Sequence, residues 1–408
     1  MGLELLSLAL KNLGRDWRRT TTRILGISVI TACLIVWGSL ANGFSDLLFR
    51  ATTSLDSGMF QVHKKGYLTS SDFYQAVQLD QRLEQARDRG FKASPRWFSY
   101  ALAHHKDRSH SVRIIGLDAH QEAKVTAIHD HLAQGGFIGQ DQMEVVLGHG
   151  LAHHFRVSLG DEIAIIGRSS DGAIASGLYK VGGILKPISP AGDRRHLYMD
   201  HRAFRDLFLI HQKSHEVAFN LPEQFSEAQA LDYLRDIFKG DEVKSWRQIK
   251  GSLATMLDLL SVVNYFCLGF VYIALAGIIF NLNLMTVYDR YEEYGTLRAI
   301  GMLPHQIFSL FMLESLWLTG AVAILGSMLG VPATLYLERH GFDVRFAADS
   351  IDYAGVIVEP LIYASIGLSE FIAPIMFLLV TMMVTSILPA KNAATVDPLT
   401  AMKGGVAT

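Results

Sequence analysis

The run ILGISVITACLIVWGSLANGFS, from Ile24 to Ser45, carries no charged side chain. It exceeds the roughly 20 residues that cross the hydrocarbon core of a bilayer as a helix. Three further runs share this character: Leu259 to Tyr288, Ser315 to Leu337 and Phe371 to Ala390. The third lies in a longer apolar region that starts at Ile307 and holds one carboxylate, Glu314. Buried helices of soluble proteins rarely need apolar runs of this length, so the chain reads as an integral membrane protein. The predicted transmembrane α-helices are residues 24–45, 259–288, 307–337 and 371–390. A large domain, residues 46–258, fills the interval between the first and second.

Charge sets the expected orientation. Lys11, Arg15, Arg18, Arg19 and Arg23 precede the first span against only Glu4 and Asp16, a cationic bias expected on the cytoplasmic side. The loop 338–370 carries Glu338, Asp343, Asp349, Asp352, Glu359 and Glu370 against Arg339 and Arg345, which places it outside. The tail 391–408, with Lys391 and Lys403, then returns inside. Residues 1–23 form an expected N-terminal amphipathic elbow helix. Its apolar face is Leu3, Leu6, Leu10, Leu13 and Trp17, and its cations occupy the remainder. Such a helix lies in the headgroup layer or packs on protein. No cleaved signal peptide is expected, because the first apolar run is too long and follows this patterned segment. The formal net charge of -2 suggests no nucleic-acid partner.

The two cysteines, Cys33 and Cys267, fall inside spans, so no disulfide holds the outer domain. It is large enough to bury a core of its own. Its pattern is α+β. Asp80–Arg89 and Ser226–Phe238 read as helices, and Ser111–Leu117, Glu216–Asn220 and Glu242–Trp246 as strands. Between them an inserted β-rich subdomain is expected over about 122–185, with strands at Val145–Leu147, Glu162–Ile166 and Tyr179–Ile184. The Gly- and Ser-rich stretches Gly167–Gly177 and Lys186–Arg195 read as loop tips. The pairs His104-His105 and His153-His154 and the group His129-Asp130-His131 match no strong zinc spacing and read as surface residues, so no metal is expected. In the third span, Gly326 and Gly330 form a G-x-x-x-G pair that permits close helix approach, and Glu314 reads as a structural hydrogen-bonding group.

The loop 289–306 reads EYGTLRAIG from Glu293 to Gly301, followed by Gln306-Ile307 and then Glu314. It resembles the E-x-G-x-L-R-A-x-G signature of ABC transporter permeases of the MacB, FtsX and LolC/LolE superfamily. The opening Leu8 to Leu13 with Arg18-Arg19-Thr20 is similar to that family's elbow helix. Pro389 to Ala394 with Asp397-Pro398 and Ala401 is similar to its C-terminal box. Asn392 and the tail after Met402 carry less positive charge than that box usually does. Val145 to Gly148, Leu151-Ala152 and Gly160-Asp161 are similar to its periplasmic core. The resemblance covers nearly the whole chain in order.

The resemblance implies a homo- or heterodimer of four-span subunits in the bacterial inner (cytoplasmic) membrane. The termini would be cytoplasmic, and the large domain periplasmic. It also implies a separate ABC ATPase that binds ATP and Mg, leaving this chain without a cofactor or catalytic residues. The sequence has no G-x-x-x-x-G-K-[ST] phosphate loop, and no nucleophile or metal motif of a classical enzyme. The loop 289–306 would hold the coupling helix. Glu292, Glu293 and Arg298 would offer ionic contacts, Tyr294 and Leu297 apolar anchors, and Gly295 and Gly301 close approach.

Gly58 to Tyr67, GMFQVHKKGY, resembles a segment of Lol-type permeases, which release lipoproteins from the inner membrane. On that reading, a lateral opening between the first span of one subunit and the second span of its partner admits acyl chains. It would be lined by Leu34, Trp37, Leu40, Phe266, Phe270 and Ile273. The expected partners are the ATPase, a second permease subunit, membrane lipids and a periplasmic lipoprotein carrier or adaptor. Two alternatives stand beside it: MacB-like mechanotransmission to an adaptor and efflux duct, and FtsX-like regulation of a periplasmic hydrolase.

Overall fold

A computed structural model describes residues 12, 17–70, 72–139, 143–210, 213–345, 351–353, 356–358 and 360–401. Apart from Asn12 and residues 17–23, the expected elbow helix lies outside the described residues, as does the tail beyond Ala401. The chain forms two compact units: Met1–Ser45 with Leu259–Val344 and Leu361–Thr408, and Asp46–Asp258 with Arg345–Pro360.

The first unit is built on α1 (Trp17–Thr52) as far as Ser45, α2 (Gly251–Asp289) from Leu259 onward, α4 (Pro304–His340) and α5 (Leu368–Ala394), with the short α3 (Tyr291–Ala299) between α2 and α4. The 4 long helices are each long and apolar enough to cross a membrane. They overrun the predicted spans at both ends, since helical hydrogen bonding continues into the flanking polar turns. Ile27, Leu275, Ile279, Val322, Leu378 and Met382 bring all of them into one core. Small residues set the α1–α4 approach. An added Cβ would lie 2.9 Å from Thr31 Cβ at Gly326 and 3.1 Å from Ala32 Cα at Gly330. The hydroxyls of Thr31, Thr319 and Thr334 donate to carbonyls four residues back, so they bring no unsatisfied donor into the bundle. Buried Asn283 reaches across to Ser386 Oγ at 3.0 Å. Both α4, at Pro332, and α5, at Pro374 and Pro389, continue through their prolines.

The second unit contains a ten-stranded sheet. Its strands are β1 (Phe60–Lys64), β2 (Ala93–His105), β3 (Arg108–Leu117), β4 (Leu132–Gly135), β5 (Glu144–Leu147), β6 (Glu162–Arg168), β7 (Ile174–Leu185), β8 (His196–Asp200), β9 (Glu216–Phe219) and β10 (Asp241–Ser245). The order is β10-β1-β9-β2-β3-β8-β5-β7-β4, with β6 pairing to both β2 and β7. The strands of the region 122–185 therefore do not form a separate sheet. The parallel pairing of β8 with β3, and its antiparallel pairing with β5, stitch that region to the rest. The expected loop Gly167–Gly177 shrinks to 169–173, because β6 and β7 continue as a hairpin on both sides of it. Within Lys186–Arg195, the turn Pro190–Asp193 is capped by Ser189, and the Asp193 carboxylate accepts from Ile188 N.

Alternation along β2 and β3 divides the interior. Trp97, Ala101, Ala103, Val112 and Ile114 enter one core, while Phe98, Ile115 and Leu117 enter another. A third core forms where helices Gln81–Asp88 and Glu227–Ile237 cover Phe60, Val62, Val217 and Phe219. Buried Arg96 lies 2.6 Å from Glu122 and 2.8 Å from Glu216, and Ser94 and Thr126 also donate to Glu122. Burial alone would push the Glu122 carboxyl up, but the Arg96 charge and these hydrogen bonds outweigh it and hold it below its ordinary value.

Candidate functional site

Only Arg290 separates α2 from α3, and its backbone, at φ -109 and ψ 20, departs from the helical conformation there. Tyr294 is 0% exposed, enclosed by Val287, Ile307, Phe311, Ala390, Ala393 and Ala401. An added Cβ at Gly295 would lie 2.3 Å from Ala401 Cβ. The inner face of α3 is thus closed by the short C-terminal helix α6 (Pro398–Ala401). Two residues expected to meet an ATPase, Tyr294 and Gly295, instead pack inward, and Leu297 is half-buried against the same cluster. Arg298 is half-buried as well, with Nη1 donating to Met302 O at 3.4 Å. Glu292 and Gly301 are exposed, Gly301 with φ +105. Glu292, Thr296 and Ala299 are exposed on α3, and Ile300 and Leu303 in the turn that follows it, with Ile300 78% exposed. Sequence reasoning did not select Thr296, Ile300 and Leu303. The one available signal was the i, i+4 spacing from Glu292 to Thr296 and on to Ile300, which marks a second helix face.

Behind α3 lies a polar junction. Arg290 donates to Glu314 Oε2 at 2.8 Å and to Glu293 Oε2 at 3.0 Å, while Asn12 Nδ2 donates to Glu314 Oε1 at 2.7 Å. Arg19 pairs with Asp289 at 2.6 Å, and Arg23 donates to Thr286. All of these groups except Glu293 line a small cavity of about 60 Å³. Glu314 thereby ties α4 to the α2–α3 corner and to Asn12.

At the other end of the helices, α1 and α2 part around a groove of about 390 Å³. Its walls include Trp37, Leu40 and Phe44 from α1, Val263, Asn264 and Cys267 from α2, and Phe342 and Ile362 from the adjoining strand pair. Trp37 Nε1 donates to Asn264 Oδ1 at 2.8 Å across it. An added Cβ at Gly43 would fall 1.8 Å from Tyr363 O, so α1 admits this segment only because that position lacks a side chain. Of the six residues expected to line an opening between two subunits, Trp37 and Leu40 line this groove within the single chain. Leu34 is buried in the bundle because its side of α1 is already covered by protein. Phe266, Phe270 and Ile273 are 67%, 69% and 70% exposed on α2 and stand outside the groove. Only 11% of the apolar window of α2 is buried, against 39% for α4, so α2 has the least buried apolar window of the four long helices.

Residues 20–237 match the family described as MacB-like periplasmic core domain, and residues 265–398 match FtsX-like permease C-terminal. An uncharacterised ABC transporter permease of Methanocaldococcus jannaschii is 23% identical over 273 residues, which cover 65% of this chain and 63% of that protein. The lipoprotein-releasing system transmembrane protein LolC of Haemophilus influenzae is 26% identical over 183 residues, covering 45% of this chain and 40% of that one. The chain thus matches less than two-thirds of the length of either relative. A crystal structure of the periplasmic region of MacB from Actinobacillus actinomycetemcomitans aligns with 49% of this chain at 12% identity and a TM-score of 0.34. With both of its modules matched and its four apolar helices in place, the chain belongs to the MacB/FtsX/LolC superfamily of ABC transporter permeases.

Proposed function

We propose that this chain is the membrane subunit of a transporter in which a separate ATPase drives release of lipoproteins or lipids from the bacterial inner membrane. The observation that carries this reading is the apolar groove between α1 and α2, whose Trp37, Leu40, Phe44 and Val263 suit an acyl chain. Similarity to LolC over nearly half the chain supports the same cargo class. In this arrangement both termini and α3 face the cytoplasm, and the sheet-bearing unit is periplasmic. A second permease subunit covers the exposed apolar face of α2.

ATP-driven closure of the partner is received on Glu292, Thr296 and Ile300. It passes through Tyr294 to α4 and α5, and through Arg290 and Glu314 to the α2–α4 junction. This chain contributes a lever and a groove, and the partner binds ATP and Mg. A second reading rests on the MacB-like core domain over residues 20–237: the helices transmit force to a periplasmic adaptor, and no cargo enters the groove. Purifying the chain with its ATPase from native membranes and identifying bound molecules by mass spectrometry separates the two. Enriched acylated lipoprotein or lipid supports release, whereas a co-purifying adaptor without such cargo supports force transmission.

A further inference from the structure

A second cavity, of about 380 Å³, lies wholly within the sheet-bearing unit. Three cations line it, Arg113, Arg195 and Lys250, together with one carboxylate, Asp56, the His196 ring and Tyr100. Asp56, Arg113, His196 and Lys250 also line a smaller neighbouring cavity of about 150 Å³. The charge of the larger cavity is positive: three cations less one carboxylate leave +2. Lys250 Nζ lies 2.6 Å from Asp56 Oδ2, so that pair cancels internally. His196 adds no charge near neutral pH. Burial pushes its pKa down to about 4, and Arg113 and Lys250 push the same way against Asp56.

Arg113 and Arg195 have no carboxylate partner within salt-bridge distance among the described residues. Nearby Arg96, by contrast, is given both Glu122 and Glu216. Half-buried Arg113 lies 4.1 Å from the centre of the Phe98 ring and interacts with Tyr67, but its buried Nε has no acceptor among the described residues. A partly desolvated guanidinium without a counter-charge is costly, and its fork matches an oxyanion. The backbone fixes the group in place. Arg113 N donates to Arg195 O at 2.7 Å, and Arg113 stands opposite His196 on the parallel β3–β8 pair.

We propose that this cavity binds an oxyanion of the phosphate type, gripped by Arg113 and Arg195 with Lys250 beside it. Its volume falls in the range of about 300–1,000 Å³ typical of small-molecule sites, so the oxyanion has room for an attached organic group. The source is a soluble phosphate compound or a lipid phosphate, which share the chemistry this lining recognises. The site does not depend on the cargo reading above.

The test is calorimetric titration of the full chain held in amphipol, with sodium phosphate against sodium chloride at matched ionic strength. Submicellar dihexanoyl phosphatidylglycerol is titrated in parallel. Saturable binding of either probe is expected, weakened at least tenfold in Arg113→Gln and Arg195→Gln. Phosphate binding alone identifies a soluble ligand, and tighter binding of the phospholipid identifies a headgroup. Arg195 is exposed, so its variant keeps the fold and decides the matter even if Arg113→Gln unfolds. Absence of saturable binding by both probes overturns the proposal, as does binding that Arg195→Gln leaves unchanged.

Discussion

Glu314 shows how a single residue joins local chemistry to the bundle. The sequence marks it as a carboxylate in an apolar run, but not its partners, because Asn12 lies 302 positions away and Arg290 in a different helical segment. Replacing Glu314 with leucine leaves Arg290, only 12% exposed at its side chain, with Glu293 alone. The expected loss is about 3 kcal/mol, the lower end for a broken buried ion pair because Glu293 remains. It is read as a drop in thermal midpoint, and the double variant Arg290→Leu/Glu314→Leu recovers much of it. Protonation makes a second residue-scale prediction. Burial pushes His196 and His215 down from 6.5 to about 4, so the folded domain keeps both rings neutral over that interval while the unfolded chain takes up protons. Stability therefore falls as pH drops from about 6.5 toward 4, and Glu122, held below 4.5 in the fold, extends the loss at still lower pH. The thermal midpoint measured against pH should fall across this window, and less steeply in His196→Asn. A flat profile contradicts this account of the buried histidines.

Among the elements, α3 was located from its motif but not oriented by it. In a nine-residue helix, apolar side chains do not reveal which surface covers them. Tyr294 and Leu297 look like anchors for a partner, yet the residues that enclose Tyr294 come from α2, α4, α5 and α6. The inward face predicts that Gly295→Val displaces α6, because the first added carbon already sits 2.3 Å from Ala401 Cβ. ATP hydrolysis by the associated ATPase should then proceed at an altered rate with transport work reduced at least tenfold, while membrane insertion persists. The outward face predicts a different defect. Ile300→Asp should weaken ATPase association in pull-downs and leave the thermal midpoint of the isolated chain unchanged. Equal ATPase recovery with the variant and the wild type contradicts the assigned docking face.

At the scale of the molecule, the four apolar helices were legible because bilayer thickness imposes a length that few soluble helices need. The sheet was legible only in pieces. In β2, residues 93–99 are buried on both faces, so no alternation announces a strand there, and β8 bridges two strands remote in sequence. The groove within the chain was not legible as such: Trp37 and Leu40 were chosen for an opening between subunits, and hydrophobicity alone does not separate a bundle-facing position such as Leu34 from a groove-facing one. The central claim is that this groove receives acylated cargo under the drive of a separate ATPase. The direct measurement places the photo-crosslinker p-benzoylphenylalanine at Leu40 and, as a control outside the groove, at Phe270, in native membranes containing the ATPase. The account predicts lipoprotein or lipid adducts at Leu40 that diminish when ATP is supplied, and several-fold fewer at Phe270. Adducts at Leu40 that contain only permease chains, with and without ATP, would contradict it.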